Sequence, residues 1–239
     1  MENKYKNKVA YITGGTKGIG LGVAKYLLDK GMRVAISGRN LEAAQRTAQE
    51  LSSDPARVLG IASDVARHKD EENAVKNIIA HFGQLDVVLA NAGVGHFAPV
   101  DELTDAQWHQ MIDTNLSGVF HTLKASLDAL KKSEGYYITL ASLAGTNFFA
   151  DASGYNASKF GVVGFTQAAM LDLRKYNIKV STIMPGSVAS EFNKHVPSDS
   201  DKWKIQPEDI GQLVWDLLQM HPRTLPSKIE VRPTRPDLK

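Results

Sequence analysis

The sequence predicts a single α/β domain: a doubly wound sheet of about seven parallel strands with helices on both faces. Three observations carry this. Short apolar runs alternate with longer amphipathic stretches along all 239 residues. Most runs are nearly continuous in apolar residues, as expected of strands covered on both faces. A glycine-rich turn joins the first run to the first amphipathic stretch. Repeated strand–helix–strand units make neighbouring strands parallel and place helices against the sheet.

In order, the strand runs are 8–13, 33–37, 58–63, 85–90, 136–141, 180–184 and 229–231. The helical patterns between them are 19–30, 41–51, 70–82, 104–130, 155–176 and 207–220. No linker rich in Pro, Gly or Ser divides the chain, so residues 1–239 read as one domain. Residues 191–206 break the pattern. They hold Pro197 and several polar residues, with Phe192 and Trp203 near the ends, and read as a loop or lid over the sheet.

Composition limits the function. Hydrophobic residues make up 43% and charged residues 23%, an ordinary globular mixture. The formal net charge of +2 gives no reason to expect nucleic acid as a partner. With no cysteine, disulfides, thiolate metal sites and a thiol nucleophile are excluded, and a cytoplasmic location is expected. The seven histidines form no pair at helical spacing, so no metal is expected. No apolar run reaches the roughly 18 residues needed to span a membrane. The short run at 9–12 leads into glycines, so no secretory signal is expected either.

The first strand ends in Thr13-Gly14-Gly15-Thr16-Lys17-Gly18-Ile19-Gly20, and a helix follows at once. Glycines here permit a tight turn, let a pyrophosphate approach the backbone and let helix and strand pack closely. The helix N-terminus then offers N–H groups and a positive dipole end to the anion. Such glycines elsewhere mark only a turn; between the first strand and first helix they mark the dinucleotide site of a Rossmann-type sheet. Gly14, Thr16, Lys17, Gly18, Ile19 and Gly20 are the cofactor candidates.

The second strand ends Ser37-Gly38-Arg39-Asn40. Folds that prefer NAD usually carry an acid there for the ribose 2′-hydroxyl. Gly38 and Arg39 stand there instead, and a guanidinium suits a 2′-phosphate. With Lys17 as a second cation, NADP is favoured over NAD. The plainer alternative has Arg39 stacked on adenine and Lys17 solvated. Asp64-Val65 closes the third strand, where the carboxylate either accepts the adenine amino group or caps the next helix. Asn91-Ala92-Gly93 closes the fourth, either to pass a ribose or simply to turn.

Ser142, Tyr155 and Lys159 are the decisive set. Tyr155 and Lys159 stand four apart on a predicted helix and share a face. Ser142 ends the fifth strand, at the carboxyl edge where such sheets bind ligands. A free phenol has a pKa of about 10. A nearby ammonium, with the positive ring of an oxidised nicotinamide, lowers it. Tyr155 then gives a proton to a carbonyl oxygen as hydride reaches carbon, or takes one in reverse, and Ser142 orients that oxygen. A Tyr and a Lys four apart are, alone, usually structural; Ser142 and the glycine loop make the catalytic reading the better one.

These residues, with Asn115 and Pro185-Gly186, occur in the order found in the short-chain dehydrogenase/reductase family, which the chain resembles over essentially its whole length. The likeness is to the single-domain, NADP-preferring branch, including 3-oxoacyl-carrier-protein reductases. It implies that Asn115 holds a water linking Lys159 to solvent, and that Lys159 also grips the nicotinamide ribose. It also implies that Pro185 and Gly186 turn toward the nicotinamide, whose carboxamide Val188 and Ser190 hold. Two positions depart from the family pattern: Ala90 replaces an asparagine, and Ser190 replaces a threonine but keeps the hydroxyl. Asn115 and Pro185-Gly186 also have plain structural readings, as a satisfied buried amide and as punctuation.

Candidate pocket residues are Val94, His96, Phe97, Leu143, Asn147, Phe148, Phe149, Phe192 and Trp203, which favour an apolar or cyclic carbonyl or alcohol. Ser133 and Leu171 fall where carrier-protein reductases carry arginines, which weakens that alternative. Small and apolar residues on several faces of 104–130 and 155–176 call for a second partner surface, and the family resemblance implies that it is another subunit, in a homo-oligomer, a tetramer or dimer. The rivals are an NADP-binding sensor without chemistry and a structural oligomer that keeps the fold as a relic.

Overall fold

The computed structural model describes residues 4–236. Seven strands form one parallel sheet: β1 (Val9–Ile12), β2 (Arg33–Gly38), β3 (Val58–Ala62), β4 (Val87–Ala90), β5 (Tyr136–Leu140), β6 (Lys179–Pro185) and β7 (Lys228–Val231). Their spatial order is β3-β2-β1-β4-β5-β6-β7. The chain runs outward from β1 to β3, then crosses back to place β4 on the other side of β1. That reversal opens a crevice at the carboxyl edge between β1 and β4.

Alternate residues of the strands feed two cores. Val9, Tyr11, Ala35 and Val88 face one side, under α3 (His68–Phe82), α5 (Gly118–Ser133) and α6 (Ser153–Leu173). Ala10, Ile12, Val34, Ile36 and Leu89 face the other, under α1 (Gly18–Asp29), α2 (Leu41–Leu51) and α7 (Pro207–Gln219). Burial on both faces is why the strands read as unbroken apolar runs. The caps follow local chemistry. Asn40 Oδ1 accepts from Ala43 N at 2.8 Å to start α2, and Gly83 ends α3 at φ 79°.

The main departure from the predicted elements lies at 104–130. The apolar pattern predicts one helix; the chain instead forms α4 (Asp105–Met111), a π-helical turn (Ile112–Ser117) and α5. Asn115 is buried within that turn. Gly118 just after it packs so closely on Val65 that a Cβ would come within 2.7 Å of Val65 Cγ2. The wider turn buries Asn115 beside Val94, and the regular helix resumes at Gly118. Smaller differences occur at ends: β4 starts at Val87, and α6 starts two residues before Tyr155. Among the described residues, no helix is long and apolar enough to cross a membrane, and no group of three metal-ligating side chains occurs.

Candidate active site

The loops at the carboxyl edge enclose one cleft of about 860 Å³, toward the upper end of the range for small-molecule sites. Its cofactor end is built from glycines. Gly14 (φ 63°) and Gly18 (φ 55°) occupy the left-handed region, and a Cβ on Gly14 would lie 3.0 Å from Ala92 Cα. Gly20 sits behind the cleft wall: a Cβ there would meet Asn91 Nδ2 at 2.6 Å, so this glycine serves helix–strand packing.

Thr13, which no sequence motif singles out, anchors this end. Its hydroxyl accepts from Asn91 N and Ala92 N, both at 3.0 Å. Asn91 Nδ2 donates in turn to Thr13 O (2.8 Å) and Gly14 O (3.2 Å). Asn91-Ala92-Gly93 is therefore more than a turn; it ties β4 to the glycine loop. The sequence signal for Thr13 is only a hydroxyl at a strand end before glycine.

Asp64 does not cap α3. Its Oδ1 accepts from Ala66 N at 3.1 Å, and the cap position is Arg67. Asp64, Val65 and Gly38 line the cleft, and so do Thr16 and Ile19 of the glycine loop. Lys17 and Arg39 also line it and are exposed. The residues fit a dinucleotide: a backbone cradle that a Cβ at Gly14 would fill, and cations at the far rim.

At the other end, Ser142 closes β5 and its Oγ accepts from Ala144 N at 3.1 Å. Asn156 holds the following turn against α6 by donating to Ala144 O (2.6 Å) and Asn147 O (2.7 Å). This keeps Ser142 beside Tyr155. Lys159, buried one helical turn on, donates to Leu140 O at 3.0 Å. Its ammonium lies 5.7 Å from the Tyr155 ring centre. Burial lowers the Lys159 amine to about 8. The Tyr155 phenol goes the other way from the sequence expectation. Burial pushes it up to about 12, and a hydrogen bond from Ser142 pulls only weakly against this. The polypeptide alone thus favours the neutral phenol.

Asn115 is fully engaged by protein. Its Oδ1 accepts from Val94 N (2.8 Å), and its Nδ2 donates to Val94 O (2.9 Å) and Ser158 Oγ (3.0 Å). The plain structural reading of its side chain is therefore at least half of its role. Asn115→Ala leaves both backbone groups of Val94 without partners. It should cost about 3 kcal/mol of stability, at about 1–3 kcal/mol for each buried group left unpaired. Urea unfolding of the variant checks this.

Pro185, Gly186, Val188 and Ser190 line the same cleft. So do the predicted pocket residues Val94, Phe97, Leu143, Phe149, Phe192 and Trp203. The Phe97 and Phe192 rings lie 5.3 and 5.7 Å from that of Tyr155. Three predicted pocket residues lie elsewhere. His96 pairs with Gln110 at 2.6 Å. Phe148 stacks on Phe160 at 5.0 Å on the outer surface, and Asn147 does not reach the cleft wall. Proximity in sequence to Ser142 is misleading here, because the chain turns outward after the 3₁₀ turn Leu143–Gly145. Conversely, His195 and Lys204 of the 191–206 segment and Arg232 and Pro233 after β7 line the cleft; no motif marks them.

Fold and cleft together are those of a Rossmann-type dinucleotide-binding protein, with Tyr155 and Lys159 of α6 in the cleft wall. Residues 8–201 match the short chain dehydrogenase family, and the chain belongs to that family. It is 32% identical over 228 residues to an uncharacterized oxidoreductase of Staphylococcus aureus (strain MW2), covering 95% of this chain and 97% of the relative. It is 33% identical to a cyclohexanol dehydrogenase of Acinetobacter sp. (strain SE19), covering 91% and 90%. Among solved structures, an alcohol dehydrogenase of the archaeon Thermococcus sibiricus, complexed with 5-hydroxy-NADP, superposes with a TM-score of 0.89. Its identity is 29%, with 97% of this chain and 99% of that one covered. The protein is thus an oxidoreductase of the alcohol/carbonyl type that uses a nicotinamide dinucleotide.

Proposed function

We propose that the protein is an NADP(H)-dependent oxidoreductase acting on a small apolar or cyclic ketone and its secondary alcohol. The observation that carries this is one cleft with Tyr155 and the buried Lys159 at one end and Lys17 and Arg39 at the other, where β2 ends in Gly38-Arg39 rather than in an acid. A nicotinamide dinucleotide bound in this cleft would supply or accept the hydride. Gly14, Thr16, Gly18 and Ile19 cradle the pyrophosphate, while Arg39 and Lys17 neutralise the 2′-phosphate. Pro185, Gly186, Val188 and Ser190 hold the nicotinamide end.

Tyr155, protonated at neutral pH, gives its proton to the substrate oxygen as that oxygen becomes an alkoxide, a far stronger base than phenolate. Ser142 donates to the same oxygen and fixes its direction. Lys159 is mostly an ammonium at neutral pH, given its value of about 8. It stabilises negative charge on the phenol oxygen once the proton has left, and it binds the nicotinamide ribose. The proton is replaced through Lys159 and a water at Asn115. Because the Asn115 amide is taken up by Val94 and Ser158, this relay runs through its backbone or the second lone pair of Oδ1.

The aromatic rings of Phe97 and Phe192 beside Tyr155 support an apolar or cyclic substrate, and so does the named substrate of the Acinetobacter relative. Outer faces of α5 and α6 leave Phe120 and Leu171 exposed, and no atom lies within 4 Å of a Cβ on Gly164. These faces support a homo-oligomer, a tetramer or dimer; a monomeric mass in solution overturns that part.

The central test is a panel of ketones with NADPH and NADH, read by loss of reduced-nicotinamide absorbance. Turnover with NADPH in preference to NADH is expected. Absence of turnover with any member, while NADPH still binds, leaves the sensor reading instead. Arg39→Asp should move the NADPH/NADH ratio of kcat/KM toward NADH by about 10- to 100-fold, the worth of a charge-assisted hydrogen bond or two. An unchanged ratio removes Arg39 from the 2′-phosphate.

A further inference from the structure

The segment after β6 is a closed loop with an ion cluster inside it. Its base is a parallel bridge between Val188 and Ile205, with Ala189 N donating to Ile205 O (2.9 Å) and Ile205 N to Ser187 O (3.1 Å). Within the loop, Asp201 is buried. Its carboxylate accepts from Ser198 N (2.9 Å), His195 Nε2 (2.7 Å) and Lys204 Nζ (2.6 Å). His195 N also donates to Phe192 O at 3.2 Å, which places His195 one turn from the ring that lies 5.7 Å from Tyr155. His195 and Lys204 both border the catalytic cleft.

Resting on the function proposed above, we infer that His195 is a specificity-determining residue whose Nδ1 accepts a hydrogen bond from a substrate hydroxyl beside the reacting carbon. The preferred substrates are then α-hydroxy ketones and the corresponding vicinal diols rather than unsubstituted ketones. The argument is one of tautomers. Lys204, the Ser198 N–H and His195 hold the Asp201 carboxyl well below the usual carboxylate range, so it is ionised and can only accept. The nitrogen facing it, Nε2, must carry the hydrogen. In the neutral imidazole, Nδ1 is then left as an acceptor.

Of the other substrate-side walls named above, Val94, Leu143, Phe97, Phe149 and Phe192 offer no side-chain partner to a hydroxyl, and Trp203 offers an indole donor but no acceptor. Two donors, Ser198 N and Lys204, already tie the loop to Asp201. An imidazole added to them at the cleft face supplies one thing a loop tie does not, a fixed acceptor toward the substrate. A site built around one such bond discriminates strongly against a substrate that lacks the group. Asp201 acts through His195 and is a positioning residue.

The test compares cyclohexanone with 2-hydroxycyclohexanone, each with NADPH, in the natural protein and in His195→Gln. The glutamine amide nitrogen reaches the place of Nε2 and still donates to Asp201, but nothing replaces Nδ1. The natural protein should favour the hydroxy ketone by at least about tenfold in kcat/KM. His195→Gln should bring that ratio down to within about twofold of unity, and His195→Asn, whose amide oxygen reaches toward the Nδ1 position, should recover part of it. A natural protein without the preference, or a ratio that both variants leave in place, overturns the inference while the oxidoreductase reading stands. No turnover of either ketone by the natural protein overturns both.

Discussion

Tyr155→Phe should lower kcat by about 10²–10⁴-fold, the usual worth of a positioned proton donor, while NADPH binding stays within about twofold. The substitution keeps the ring and hence its contacts with Phe97 and Phe192. It also keeps its packing with Met111, Ala144 and Ala152. It removes only the hydroxyl. With burial holding the phenol up at about 12, the native group favours its neutral form at neutral pH and is ready to donate. No neighbour is placed to take over: Ser142 is a much weaker acid, and the Lys159 amine is tied to Leu140 O. Cofactor binding is read by fluorescence titration and turnover by absorbance. Turnover within tenfold of the natural protein would remove Tyr155 from the chemistry.

Lys159→Met should destroy activity and stabilise the fold. Burial brings the amine from its ordinary 10.5 to about 8, a difference equivalent to about 3 kcal/mol. The sign follows from proton binding. Below about pH 8 the amine is charged in both folded and unfolded chains, and the folded state carries the full cost of burying that charge. Between about 8 and 10.5 the unfolded chain binds more protons than the folded one, so the natural protein gains stability relative to the variant as pH rises. Above 10.5 both are neutral and the cost is gone. Leaving Leu140 O without its donor costs the variant about 1 kcal/mol at every pH. The variant should therefore be more stable by about 2 kcal/mol at neutral pH, and the advantage should vanish or reverse near pH 10.5. Urea unfolding of both proteins at the two pH values checks this; a variant less stable at neutral pH contradicts the buried charge.

The sheet is legible in the sequence because its central strands are apolar on both faces, and the glycine loop because its spacing is tied to a strand–helix junction. Tyr155, Lys159 and Ser142 are legible as a set for the same reason: helix spacing and strand ends place them without tertiary knowledge. The π-turn at Asn115 is not, since the stretch from Thr104 onward has no Pro or Gly before Gly118 and the apolar pattern runs through it. What breaks the helix is a long-range demand, the pairing of the Asn115 amide with Val94. Asn156 carries no local signal, and Thr13 only a hydroxyl before the glycines, because their value lies in backbone partners that only the fold supplies. The direction of the Tyr155 shift runs against the sequence expectation because a charge pattern can be read from spacing, whereas burial cannot.

The few residues that follow β4 have a mechanical consequence. Asn91 grips the glycine loop, and a Cβ on Gly93 would lie 3.3 Å from Asn115 Oδ1 and 3.6 Å from Lys159 Nζ. Val94 is clamped by Asn115. One short crossbeam therefore spans from the glycine loop to the surroundings of Lys159, and in the function proposed above both ends of a dinucleotide would be gauged against the same ruler. Displacing either end of that beam should misalign the hydride and the proton together, so damage at the cradle is felt as lost turnover as well as lost affinity.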